Sequence, residues 1–188
     1  MEIELIIAIV LAIVIFFILI GYIATHNKMI KYRNKVEESL SMVDIHLKLR
    51  FDLIPNLVKV VKEYSKHEKE VFSSIVELRN NALKETDEKK KLEMANQMLP
   101  KIRELLIIAE DYPVLKADSL YKSLMEELVI AEDKIAASRR FYDSNVTLYN
   151  NLIQVFPNNI IAALGSFKKC ELFKIDVGEN FSQKINFD

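Results

Sequence analysis

The first place to seek catalysis in this chain is His67-Glu68, because a zinc-binding helix pairs His-Glu with a second His one turn on. Position 71 is Val71, so that ligand set is broken, and the chain holds only His26, His46 and His67. No His-based metal site is expected. Ser, His and Asp all occur, but no G-x-S-x-G elbow presents a serine to a histidine. No glycine-rich loop is available to cradle phosphate. Glu126-Glu127 and Glu132-Asp133 are sequence neighbours, so on a helix each pair points apart and cannot share a substrate. Cys170, the single cysteine, is flanked by lysines and reads as a small residue near the C-terminus, and it leaves no intrachain disulfide to form. The expectation is a protein with no catalytic, metal or cofactor residues.

The polar residues that call for an explanation are Arg50, Asp52, Asn56, Glu68, Glu110, Glu132, Arg139 and Arg140. Arg50 and Glu68 stand where an apolar helical stripe should continue, which predicts that both are partly buried. A buried charge must be paired and hydrogen-bonded or it costs several kcal/mol. An inter-helix ion network joining Arg50 or Arg139/Arg140 with Glu110 or Glu132 is therefore expected. It would fix helix register or, as the sharper reading, receive a ligand or partner.

The elements that must position these residues are helices. Three glycines and four prolines among 188 residues leave few tight turns, and sheets or nucleotide-binding loops need more. With 26 basic and 27 acidic residues, a net charge of −1 and no Trp, the chain lacks the basic field of a nucleic-acid binder.

Leu5 to Ala24 reads LIIAIVLAIVIFFILIGYIA, without a charge. About 20 apolar residues at ~1.5 Å each cross a ~30 Å hydrocarbon layer. The leader, Met1-Glu2-Ile3-Glu4, is acidic, and neither a small-x-small cleavage site nor a lipobox cysteine follows, so the stretch reads as an uncleaved anchor. Lys28, Lys31, Arg33 and Lys35 follow it and no Lys or Arg precedes it, which predicts the N-terminus outside and the rest in the cytoplasm. These four residues are also the candidate contacts for lipid headgroups, and Tyr22 suits the interface on that side.

Beyond the anchor, Val36, Leu40, Val43, Leu47, Ile54, Leu57, Val61, Tyr64, Val71, Ile75 and Leu78 step by four and three as a helical stripe. Asp52 and Pro55 allow either a break or a kink. Lys84 to Lys91 has no apolar residue and reads as a solvated connection. A second stripe holds Leu92, Ala95, Leu99, Ile102, Leu106 and Ala109, with Pro100 within it and Tyr112-Pro113 ending it. Asp118-Ser119 opens the last long helix, with Leu120, Leu124, Leu128, Ala131, Ile135, Tyr142, Tyr149 and Phe156 in phase. A short turn over Asn159 to Leu164 ends at Gly165. Such stripes need partners, and short connections favour antiparallel neighbours. The predicted fold is all-α: residues 1–4 an extracytoplasmic tail, 5–24 a transmembrane helix, 25–173 an up-and-down four-helix bundle, and 174–188 a loose tail.

Asp44 to Asn56, DIHLKLRFDLIPN, resembles the D-x-x-L-x-x-R-x-D-L-I-P-N-L-V pattern of the LemA family. The likeness runs on through Val60 to Glu68 (VVKEYSKHE), Ala109 to Ala117 (AEDYPVLKA), Ile135 to Tyr142 (IAASRRFY), Tyr149-Asn150, Phe156-Pro157-Asn158 and Ile161-Ala162. Order and spacing agree over about residues 27–173. The chain departs from the pattern at Leu40, where the family usually has Trp, and at Pro100, where Ser or another non-proline residue is expected. The resemblance implies a membrane-anchored four-helix bundle of bacteria with no established enzymatic activity. It also implies relatives tied to membrane organisation, including formation of magnetosome membranes, and others linked to surface-exposed N-terminal peptides.

The expected function is a non-enzymatic interaction or scaffold protein of the bacterial cytoplasmic membrane. The lipid bilayer, an unidentified protein and further copies of itself are the expected partners, and nucleic acid is not. The competing readings are a membrane-organising protein that assembles laterally and a hydrolase or regulator of membrane proteolysis.

Overall fold

The structure is a computed structural model that describes residues 2–65 and 68–173. His67 and the tail expected from 174 onward lie outside the described residues. Those described residues are helical and contain no strand. The elements are α1 (Glu2–Tyr64), α2 (Lys69–Lys84), α3 (Glu88–Glu110), α4 (Pro113–Ala117), α5 (Ser119–Gln154) and α6 (Asn158–Leu164). They divide into two compact units: an anchor unit of residues 2–39 with 141–172, and a bundle unit of residues 40–140 with Phe173.

In the bundle unit, α1 from Leu40 onward, α2, α3 and α5 up to Arg140 supply four helical segments. Their apolar faces meet at Val43, Leu47, Phe51, Ile54, Leu57, Val61, Ile75, Ala95, Met98, Ile102, Leu105, Leu128 and Ala131, all essentially inaccessible to water. Only residues 85–87 separate α2 from α3, and the two helices pack against each other. The connection is shorter than the charge run Lys84 to Lys91 implies. The Asp87 carboxylate accepts from the backbone N–H of Lys89 (2.9 Å) and Lys90 (3.3 Å), so the helix starts at Glu88 within that run. Lys and Glu are good helix formers, and a charged sequence is no bar once a cap is present.

The core of α3 uses Met98 and Leu105, whereas Leu99 and Leu106 are only half-buried. Apolar residues stand side by side at 98–99 and 105–106, so the stripe alone leaves the phase ambiguous by one residue. Tyr121 likewise takes the buried position expected of Leu120, and Phe156, beyond the end of α5, is exposed. Asp118 caps α5. Its Oδ1 accepts from the N–H of Leu120 (2.8 Å) and Tyr121 (3.0 Å), and its Oδ2 from the Tyr64 hydroxyl (3.2 Å). The Tyr121 bond, foremost, holds its carboxyl below the ordinary value.

α1 runs through Pro55 unbroken. A proline has no N–H to give the carbonyl four residues back, here that of Phe51. Arg79 on α2 supplies the missing donor, its Nε lying 2.6 Å from the Phe51 oxygen. The helix continues because another helix satisfies the group that proline leaves orphaned.

In the anchor unit, Met29, Val36, Tyr142, Val146, Tyr149, Ile153 and Ala162 are buried. Residues 167–172 have no regular structure, so side chains of α5 take up their backbone groups. The hydroxyls of Tyr142 and Tyr149 donate to the carbonyls of Glu171 and Lys168, each at 3.0 Å. Asn150 pairs with both the N–H (3.0 Å) and C=O (2.8 Å) of Cys170. Burial pushes the Tyr142 hydroxyl up to about 12. α6 ends in a Schellman turn, with Phe167 N–H on the Ala162 carbonyl (3.0 Å) and Ser166 N–H on that of Ala163 (3.3 Å). The left-handed residue is Ser166 (φ 56), not Gly165. Gly165 is needed for space instead: a Cβ there would meet the Phe167 ring at 2.6 Å.

Replacing Arg79 by Met should destabilise the bundle by about 1–3 kcal/mol, the cost of an unpaired buried carbonyl. In a Pro55→Ala background the helix regains its own N–H donor, and the same replacement should cost clearly less. Thermal unfolding of the four proteins in nanodiscs checks both. An equal cost in the two backgrounds would refute the assigned role.

Candidate functional site

Arg50 is the largest fully buried side chain among the described residues. It sits on α1 between Leu47 and Ile54, on the apolar face that the helix turns toward α5. Its Nη1 donates to both carboxylate oxygens of Glu132 on α5, at 2.9 and 3.1 Å. The Arg50 side chain is 1% exposed and that of Glu132 11%, so the pair lies in a low-dielectric setting where neither charge is tolerated alone. The use of Nη1 alone leaves the fork edge free. Both Nε and Nη2 are buried, and no described residue accepts from them.

One turn before Arg50, His46 has a buried Nδ1 that is also without a partner among the described residues. Burial, and then the charge of Lys134, pushes its pKa down. Ser138, buried on α5, turns its hydroxyl back onto the Ile135 carbonyl (3.0 Å). The site is therefore a neutralised charge pair with unused N–H donors. It holds no nucleophile beside a base, and its chemical capacity is to orient an acceptor or carboxylate and to set helix register.

The other residues singled out in the sequence are dispersed. Arg139 is buried, with its guanidinium 5.9 Å from the centre of the Phe173 ring. Glu68 is half-buried and accepts from the Ser65 hydroxyl just before α2. Asp52 is exposed, and its carboxylate lies 3.8 Å from Arg79. Asn56, Glu110 and Arg140 are exposed. α3 ends at Glu110, and its charge, after burial, helps push the Tyr121 hydroxyl up to about 12. Lys28, Lys31, Arg33 and Lys35 are exposed on α1. Arg33 lies 3.8 Å from Glu37 and 5.6 Å from the Phe167 ring centre, and Lys35 lies 5.4 Å from that of Tyr32.

Two inter-helix ties escaped the sequence reading. Asp44, inside the quoted motif, pairs with Lys91 of α3 at 2.5 Å. Arg79 bonds to the Phe51 carbonyl, and the signal that could have found it was Pro55 itself, since a proline within a helix demands an outside donor.

Residues 39–187 match the model of the LemA family. The chain belongs to that family. It is 28% identical over 178 residues to Protein LemA of Metamycoplasma hominis, covering 87% of this chain and 81% of that protein. It is 36% identical over 70 residues to Magnetosome protein MamQ 2 of Paramagnetospirillum magneticum, covering 37% of this chain and 26% of that protein. Magnetosome protein MamQ of Magnetospirillum gryphiswaldense is 35% identical over 69 residues, with 25% of that protein covered. LemA membership and the apolar stretch of α1, whose most apolar window has a mean hydropathy of 3.4 and no part buried, both point to membrane association.

Truncating one member of the Arg50–Glu132 pair strands the other charge, so Arg50→Met and Glu132→Leu should each cost about 3–5 kcal/mol. That corresponds to roughly 10 °C or more in Tm for a chain of this size. The double variant should recover most of the loss. Calorimetry in nanodiscs measures it, and additive losses would show that the two residues do not act as a pair.

Proposed function

We propose that this LemA-family chain is a non-enzymatic helical module tethered to the bacterial cytoplasmic membrane by residues 5–24, presenting its bundle to partners inside the cell. The observation that carries this is an apolar helical stretch that no described residue covers, joined to a bundle whose buried Arg50 is paired with Glu132. Tethering confines the bundle near the bilayer, so contacts too weak to hold in solution gain effective concentration. The proposed orientation rests on charge: Glu2 and Glu4 precede the stretch, while Lys28, Lys31, Arg33 and Lys35 follow it. The Arg50 site serves register in this reading, and its free donors offer a partner carboxylate a place only if the helices part.

Membrane organisation through lateral self-assembly is the second reading. The similarity to magnetosome proteins supports it, although it spans only about a quarter of those proteins.

Cys170 is the one cysteine and is half-exposed, so it reports the side of the membrane without any engineering. A membrane-impermeant maleimide should label it only after cells are permeabilised. Labelling of intact cells would place the bundle outside.

A further inference from the structure

Next to the apolar stretch, the protein displays an apolar surface that the described residues leave open. Phe156 is 79% and Leu164 72% exposed, with Val155 and Ile160 also open, while Ala162 on the other side of α6 is buried. Unsatisfied apolar surface of this kind marks a contact. Its position is set by Phe167. The Schellman bond ties that residue to the end of α6, and its ring lies 5.4 Å from His26 and 5.6 Å from the Arg33 guanidinium. His26 comes two residues after the apolar run ends and stacks on Tyr22 at 5.9 Å. The turn behind α6 is thus pinned to α1 at the level where α1 would leave the hydrocarbon.

Charge at this level is mostly of one sign. Lys28, Lys31, Arg33 and Lys35 on α1 are joined by exposed Lys168 and Lys169 from the pinned segment, against Glu37, Glu38 and Glu171. Apolar side chains rimmed by lysines are what an interfacial helix uses to enter the headgroup layer of an anionic bilayer. We propose that Val155, Phe156, Ile160 and Leu164, with Lys168 and Lys169, form a second membrane contact that lies in the anionic interface around the anchor. The inference rests on the anchor reading. It adds that the membrane-proximal end of the anchor unit is seated on the bilayer and is not merely suspended from it.

The chain has no Trp, so single-Trp variants of the full-length protein are clean probes. Phe156→Trp and Leu164→Trp test the contact, Phe16→Trp the anchor, and Ile107→Trp, exposed on α3, serves as the reference. Each is reconstituted in phosphatidylcholine vesicles with or without phosphatidylglycerol, using lipid brominated near the top of the acyl chains. Emission from the two test positions should shift to the blue and be strongly quenched by bromine, while the reference shows neither change. Phosphatidylglycerol should deepen the quenching, and Lys168→Glu with Lys169→Glu should abolish that increment. Quenching at Phe16→Trp but not at Phe156→Trp or Leu164→Trp overturns the contact and leaves the anchor standing. A blue shift without quenching also overturns it, because a second copy of the chain then covers the patch. Quenching indifferent to phosphatidylglycerol removes the anionic preference. No quenching at Phe16→Trp removes anchor and contact together.

Discussion

Twenty consecutive residues without a charge, open along the whole helix surface, cannot be left to water. Leaving this many Ile, Leu, Val and Phe side chains hydrated costs on the order of tens of kcal/mol, which exceeds the ~5–15 kcal/mol that holds a typical domain together. None of the described residues covers it, since the stretch has no buried window. In the proposed reading the bilayer supplies the cover, and the rest of the chain is arranged under that constraint. Because residues 2–64 form one continuous helix, the element that holds the apolar stretch also supplies Leu47, Arg50, Phe51 and Ile54 to the bundle core.

Inside the bundle, polar groups appear where apolar packing alone would leave the alignment of helices loose. Arg50–Glu132 ties α1 to α5, Asp44–Lys91 ties α1 to α3, and Arg79 ties α2 to the carbonyl that Pro55 frees. The first and third can form in one register only, because a slip of a single turn would strand a buried charge or carbonyl. In the anchor unit, α5 does similar work for a segment without regular structure, lending Tyr142, Tyr149 and Asn150 to its backbone. The same segment brings Lys168 and Lys169 beside the basic residues that follow the apolar run.

The helices and most of their buried faces could be read from the three-four spacing, since Val43, Leu47, Ile54, Leu57 and Val61 stand in phase and are buried. The reading slipped where apolar residues are adjacent, as at Met98-Leu99 and Leu105-Leu106, because periodicity cannot choose between neighbours. It also took a run of lysines and glutamates for a connection, when one aspartate cap suffices to start a helix there. Arg50 was legible as a charge that burial would force into a pair, but Glu132 was only one of two carboxylates offered to it, and Arg139 or Arg140 stood as alternatives. Glu110 was not legible as exposed, because where a helix ends relative to its neighbours depends on the packing of all four. Arg79 was missed because its role depends on a proline in another helix, 24 positions away.

The central claim is that residues 5–24 remain on the mature chain and lie in the membrane. Intact-mass measurement of the protein recovered from carbonate-washed membranes tests both parts at once. The account predicts a mass that still includes residues 5–24, retained in the membrane pellet. A mature chain beginning beyond Ala24, or its release into the carbonate wash, would contradict it.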